Sequence, residues 1–149
     1  DWSSDVCSSD LTNSLQAVFN LTIGYEHEAP PHEIILLGGR VQQRPQTQGD
    51  LVVSEIYRYQ ADVALLSPVG IDPQHGASSF YSEEANIAQA MVKQAKQTFI
   101  LADQSKLGIV SRVRYAQSHE VSMLISNQEA KSEIDLAIYQ QHFQHVILA

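Results

Sequence analysis

The sequence is poor in cysteine, in basic side chains and in long apolar runs. Its single cysteine, Cys7, cannot close an internal disulfide, which fits a reducing compartment and a cytoplasmic protein. Nine Lys and Arg against 17 Asp and Glu leave a formal charge of −8. So few cations, scattered from Arg40 to Lys131, exclude an extended nucleic-acid footprint in these residues. The nearest thing to a basic patch is Lys106, Arg112 and Arg114, enough for one phosphate group but not for a length of duplex. Apolar runs such as Ile34-Ile35-Leu36-Leu37 are far too short to cross a bilayer. No basic head precedes a sustained apolar stretch, so no secretory signal is expected. The six histidines form no metal-ligand constellation: a strand starts between His142 and His145, and no third ligand lies nearby. His75 falls in a long loop where it could touch a ligand, and His27 and His32 flank a Pro-rich turn. A Gly-x-Ser-x-Gly elbow is also missing, and neither an internal repeat nor a coiled coil occurs.

What is present suits one α/β domain or most of one. A chain of 149 residues can bury ~65–70% of its unfolded surface, and 44% hydrophobic with 17% charged residues is ordinary for a globular protein. The first ten residues, Asp1 to Asp10, stand apart. They contain Ser-Ser-Asp twice, show no periodicity and read as a foreign leader, which removes Trp2 and Cys7 from consideration. The excess of acid survives without them.

From Leu11 short apolar runs alternate with helical stretches. Leu11-Thr12-Asn13 reads as a strand stub, followed by a helix near Ser14 to Asn20, and Pro30-Pro31 marks a loop. Glu33 to Leu37 reads as a strand bounded by Gly38-Gly39. The Gln-, Arg- and Pro-rich stretch Val41 to Gly49 reads as a loop, and Asp50 as the cap of a helix through Tyr59, with Leu51, Val52, Glu55 and Ile56 at helical spacing. Asp62 to Leu66 is a further strand, and Ser67 to Ser79 a long Gly/Pro-containing connection. Ser82 is expected to cap a helix with Glu83 and Glu84 in its positive first turn, an apolar stripe of Ala85, Ala88, Met91, Val92 and Ala95, and Lys93 and Lys96 near its negative end. Strands follow at Thr98 to Leu101, Val121 to Ile125 and His145 to Ala149. Ser126-Asn127 is expected to cap a last helix with Ala130, Ile134, Ala137 and Ile138 on one face. Such alternation predicts a mostly parallel open sheet with helices on both faces, starting and stopping abruptly enough to read as part of a longer protein.

The chemistry concentrates in Ala102-Asp103-Gln104-Ser105-Lys106-Leu107-Gly108, directly after the strand Thr98 to Leu101. Ligands of open α/β sheets bind at the carboxyl ends of strands, and a lysine there suits capture of a phosphate or carboxylate. The plain alternative is a turn opened by Asp103, a solvated Lys106 and a positive φ at Gly108. The connection holding Gly70, Asp72, His75, Gly76, Ser78 and Ser79 follows a strand too, and such loops let backbone amides approach an anion. Its plain alternative is an Asp-Pro turn. Glu83 is explained by the helix dipole, worth ~0.3–1 kcal/mol, while Glu84 stays open between that role and work as a base.

In order and spacing, Thr12-Asn13-Ser14-Leu15, Ile35-Leu36-Leu37-Gly38-Gly39, Gly70 to Gly76, Glu84-Ala85 with Ala90-Met91, and Leu101 to Gly108 resemble the effector-binding domain of DeoR-type bacterial repressors over Leu11 to Ala149. The Ala-Asp-x-Ser-Lys-x-Gly element is the most specific part. The resemblance implies a sugar-phosphate sensor similar in fold to ribose-5-phosphate isomerase, without catalytic residue, metal or cofactor. It implies that Lys106 meets the phosphate, that Asp103 orients Lys106 or a hydroxyl, and that Glu84, near the isomerase carboxylate, accepts a sugar hydroxyl. It further implies that Thr12, Asn13, Gly38 and Gly39 line the same cleft as Gly70, Asp72 and Gly76, which shape their loop. Partners would be a small phosphorylated sugar or similar anionic metabolite, DNA only through a winged helix-turn-helix lying before Leu11, and a second copy of the full-length protein. Val69 occupies a place where many relatives carry an acid, which weighs against an isomerase; a vestigial scaffold or dimerisation domain is the other alternative.

Overall fold

The computed structural model describes residues 9–25 and 32–149, and the chain divides into two units, one running up to Glu55 and one spanning Ile56–Ala149. Trp2 and Cys7, His27 and the Pro30-Pro31 loop lie outside the described residues.

In the first unit β1 (Ser9–Thr12) pairs in parallel with β2 (Glu33–Leu36), Leu11 opposite Ile35 and Thr12 opposite Leu36. Ser9 and Asp10, read from sequence as part of a leader matching no element, extend β1 against Glu33 and Ile34; ladder bonds join backbone groups and need no particular side chain. Between the two strands lies α1 (Leu15–Thr22), whose first turn is closed by Ser14 Oγ accepting from Ala17 N at 3.1 Å, a side-chain cap. The stretch read as a loop holds a two-residue antiparallel ladder, β3 (Arg40–Val41) with β4 (Thr47–Gln48). Strands so short carry no alternation to detect. Gly49, at φ +103°, turns the chain into α2 (Asp50–Ile56). Asp50 is thus the first helical residue rather than the cap, and the helix stops short of Tyr59. Val52 is buried on it and Leu51 exposed.

The second unit is built on a four-stranded sheet, all parallel, with helices on both sides. From one edge to the other its strands are β11 (Val146–Leu148), β10 (Met123–Ser126), β8 (Ala95–Leu101) and β5 (Ala61–Leu66). The predicted α/β class with a parallel sheet is therefore observed. Ile100 and Leu124 are completely buried on the two central strands and pack with Ile71, Val92, Tyr139 and Phe143. Burying such side chains stabilises by roughly 1.5–3 kcal/mol each.

Three local expectations differ. The long connection after Leu66 is a hairpin, β6 (Gly70–Asp72) and β7 (Gly76–Ser79), extended by β9 (Val113–Ala116) into an antiparallel sheet ordered β6-β7-β9. Its small residues are buried, so a long apolar signature is absent. In α3 (Ser82–Gln94) Ser82 is the first helical residue, Tyr81 occupies the cap position without a side-chain cap bond, and Lys96 belongs to β8, where its Nζ donates to Asp62 Oδ1 at 2.7 Å. The last helix is two pieces, α4 (Ala130–Glu133) and α5 (Leu136–His142), the second capped by Asp135. Tyr139 and Phe143, not Ala137 and Ile138, are the buried residues there. Among the described residues no helix is long and apolar enough to cross a membrane.

Candidate functional site

The polar residues at the end of β1 and β2 are joined by hydrogen bonds within the first unit. Asn13 Nδ2 donates to Thr47 O at 3.0 Å, Thr47 N donates back to Asn13 O at 2.7 Å, and the buried Thr47 hydroxyl donates to Leu37 O at 2.7 Å. Thr12 Oγ1 accepts from Ser14 N at 3.1 Å. The Gly38 amide donates to Glu55 Oε2 at 2.7 Å, and a Cβ at Gly39 would collide with Val52 and the Gln48 carbonyl. Thr12, Asn13, Gly38 and Gly39 are thus brought together, with Thr47 and Glu55 added by the fold. Neither addition is legible in sequence, because both arrive through contacts distant along the chain.

In the second unit the carboxyl ends of β5 and β8 are joined by a side-chain bond: Lys106 Nζ donates to Ser67 Oγ at 2.9 Å. Ser67 is the first residue past β5, and Lys106 closes a single 3-10 turn, Gln104–Lys106, just past β8. Asp103 caps that turn, accepting from Ser105 N at 2.9 Å and also from the Ser105 hydroxyl. The Ser105 side chain first, then its amide, hold the exposed Asp103 carboxyl below the ordinary carboxylate value. Asp103 thus bonds the hydroxyl of its own neighbour Ser105 and its carboxylate also feels the charge of Lys106, while the ammonium itself donates to Ser67. Among the described residues Lys106 makes no ion pair.

The hairpin fixes this region from one side. Gly108 N donates to Ile71 O at 2.8 Å, and Leu107 bridges Ile71 in parallel. Gly70 lies so close to Ile109 that a Cβ would overlap its carbonyl group, and Gly76, at φ +77°, leaves no room for one beside the Ala116 carbonyl. Asp72 Oδ1 accepts from Gln74 N, His75 N and His75 Nδ1, each at 2.9 Å. Burial pushes the Asp72 carboxyl upward, but the His75 ring and the two amides outweigh it and leave its pKa lowered. Asp72 therefore shapes its own turn. Tyr139 lies near Gly108, its hydroxyl pKa raised by burial and next by the charge of Asp72.

Glu84, in the first turn of α3, accepts from Ser79 Oγ at 3.0 Å at the end of β7. Arg112 lies over the Phe80 ring at 5.1 Å, a cation–π contact, while Arg114 stands on β9 opposite Ser78. Asp103, Lys106, Gly70, Asp72, Gly76 and Glu84 thus all sit on the second unit's strand ends or the hairpin and helix that follow. The residues not foreseen there are Ser67, Ser79 as partner of Glu84, and Tyr139. The only sequence signal for Ser67 is its place as the first polar residue after Ala64-Leu65-Leu66.

A cavity of about 400 Å³ is lined by Met123, Gln140, Phe143, Gln144, His145, Val146 and Ile147. Met123 opens β10 and Val146 opens β11, so it lies toward the amino ends of the sheet, without Lys or Arg in its lining. Among the described residues no group of three His, Cys, Asp or Glu could hold a metal ion.

Comparison with known proteins agrees with the motif order. The family described as the DeoR C terminal sensor domain matches residues 11–128. The chain is 37% identical over 97 residues to the HTH-type transcriptional repressor GlcR of Bacillus subtilis (strain 168), covering 64% of this chain and 37% of that protein. Against the HTH-type transcriptional regulator GlpR of Haloferax volcanii it is 28% identical over 111 residues, covering 71% of this chain and 44% of the relative. Against the glycerol-3-phosphate regulon repressor of Haemophilus influenzae it is 23% identical over 116 residues, covering 78% and 44%. The chain spans less than half the length of each of these relatives.

Proposed function

Because the chain belongs to the DeoR C-terminal sensor domain family, we propose that it recognises a phosphorylated sugar or a related anionic metabolite. Its occupancy would alter DNA binding by a helix-turn-helix region of a longer cytoplasmic repressor. The observation that carries this reading is the Lys106 ammonium, turned toward Ser67 at the carboxyl end of the parallel sheet and, among the described residues, in no ion pair. An ammonium in that position is a point charge for a phosphate oxygen. Asp103 builds the turn that presents it, and Gly70, Asp72 and Gly76 build the hairpin that braces the turn. Glu84 supplies an acceptor for a sugar hydroxyl.

Sensing requires no bond to be made or broken. It requires only that the ligand bind one arrangement of the full repressor more tightly than another. The names of the relatives support this reading over turnover, since all three are called repressors or regulators. The test is thermal unfolding with added sugar phosphates. At a hundred times its dissociation constant a ligand adds about 2.7 kcal/mol, and Lys106→Ala should lose that response while unfolding normally without ligand. An equal response in Lys106→Ala refutes the anion site. Turnover of ribose 5-phosphate that vanishes in Glu84→Gln would make the protein an enzyme instead.

A further inference from the structure

We propose that Ser67 is a second ligand-contacting group, which together with Lys106 grips one phosphate-monoester end through two adjacent donors. The inference rests on the reading of Lys106 as the anion site and goes on to name its partner. Ser67 is exposed at the end of β5, and its Oγ accepts from Lys106 Nζ at 2.9 Å. A serine hydroxyl that accepts one bond still carries its own O–H, and an ammonium that gives one of its three N–H groups keeps two. Among the described residues no acceptor takes the Ser67 O–H. Two donors are therefore left side by side on one solvent-facing edge, at a spacing that lets neighbouring oxygens of a single tetrahedral oxyanion accept from both.

The chemistry of the neighbour matters as much as its position. The Asp103 carboxylate, near enough to feel the charge of Lys106, bonds to Ser105 instead; a carboxylate bonded to Lys106 itself would neutralise the ammonium and repel an incoming anion. A hydroxyl aims the ammonium without cancelling its charge. The residues adjoining Ser67 sharpen the placement: Pro68 is buried and offers no N–H, and the Val69 amide already donates to Ser78 O at 3.0 Å. The Ser67 side chain is thus the donor that the start of this crossover presents.

The experiment is calorimetric titration of the whole chain with ribose 5-phosphate, inorganic phosphate and unphosphorylated ribose. The variants are Ser67→Thr, Ser67→Ala and Ser67→Asp, with Lys106→Ala alongside. Expected are binding of both phosphates but not of ribose, retention in Ser67→Thr, and a loss of about tenfold in Ser67→Ala from one missing charge-assisted bond. Ser67→Asp should lose about a hundredfold or more through like-charge repulsion. If Ser67→Asp does not fold, the Ala and Thr pair decides, because rescue by the hydroxyl alone separates ligand contact from packing. Wild-type affinity in Ser67→Ala, with Lys106→Ala blind to phosphate, overturns the role of Ser67 and leaves the anion site standing. No phosphate binding by the wild type, or unchanged binding in Lys106→Ala, removes both.

Discussion

The two parallel strand pairs β1–β2 and β5–β8 end in the same vocabulary of small, hydroxyl, amide and acidic residues, yet the two ends are chemically opposite. After β1 and β2 the polar groups are turned on one another: Asn13 and Thr47 exchange bonds, Thr47 closes on Leu37, and Gly38 donates to Glu55. After β5 and β8 a cation leans on a neutral hydroxyl and keeps donors to spare. Bonds made within a cluster hold structure, because breaking one exposes a partner that must be resolvated. Spare hydroxyl capacity does not separate the two ends, since Thr12 Oγ1, like Ser67 Oγ, accepts a bond and keeps its own O–H. What separates them is charge: a cation stands past β5 and β8, whereas a carboxylate takes the Gly38 amide past β2.

This contrast can be attacked most heavily at the hairpin that braces the second site. Gly76→Ala forces a Cβ against the Ala116 carbonyl at positive φ, and should cost about 3–5 kcal/mol in urea unfolding. A cost below 1 kcal/mol would mean the hairpin yields freely and braces nothing. The next effect belongs to the first unit. Thr47→Val removes the buried bond to Leu37 O and should destabilise by about 1–3 kcal/mol, with no change in phosphate affinity. A selective loss of phosphate affinity without loss of stability would reverse the roles given to the two ends.

A smaller effect comes from acid. The Asp72 carboxyl in the folded chain titrates below its ordinary value of 3.8, so the unfolded chain takes up the proton first. Support from this turn is complete above that value and is lost as pH falls through the lower, folded one. Amide exchange at Gln74 and His75 should accelerate over that range, and Asp72→Asn should flatten the dependence. Smallest of all is Lys96→Met at the exposed pair with Asp62. It should leave the urea midpoint unchanged within error, since fully solvated ion pairs contribute little.

The helix α3 was readable because apolar residues recur at helical spacing over a long segment; of the expected stripe Ala85 and Val92 are buried and Ala88 and Met91 half-buried, while Ala95 belongs to β8 and the buried Ile87 and Ala90 were missed. The place of Lys106 past a strand end was readable because it follows closely on the apolar run Phe99-Ile100-Leu101. Asp103 was half readable: its cap role follows from residue type, but which group it would hold depended on the turn. The hairpin Gly70–Ser79 was hidden, since Gly, Ala and Ser bury without an apolar signature. Ser82 and the split of the final helix were misread because cap residues are common on both sides of a helix start, and backbone geometry chooses between them.

Local order along the chain was enough to establish the alternation of strand and helix, the parallel sheet and the lysine at a strand end, because periodicity and strand-end chemistry are properties of neighbouring residues. Which hydroxyl meets that lysine, which amide is taken by Glu55 and which carbonyl meets Asn13 were decided only by folding. Those pairings join residues 17 to 39 positions apart, and a hydrogen bond depends on where two groups finish in space, not on how far apart they began.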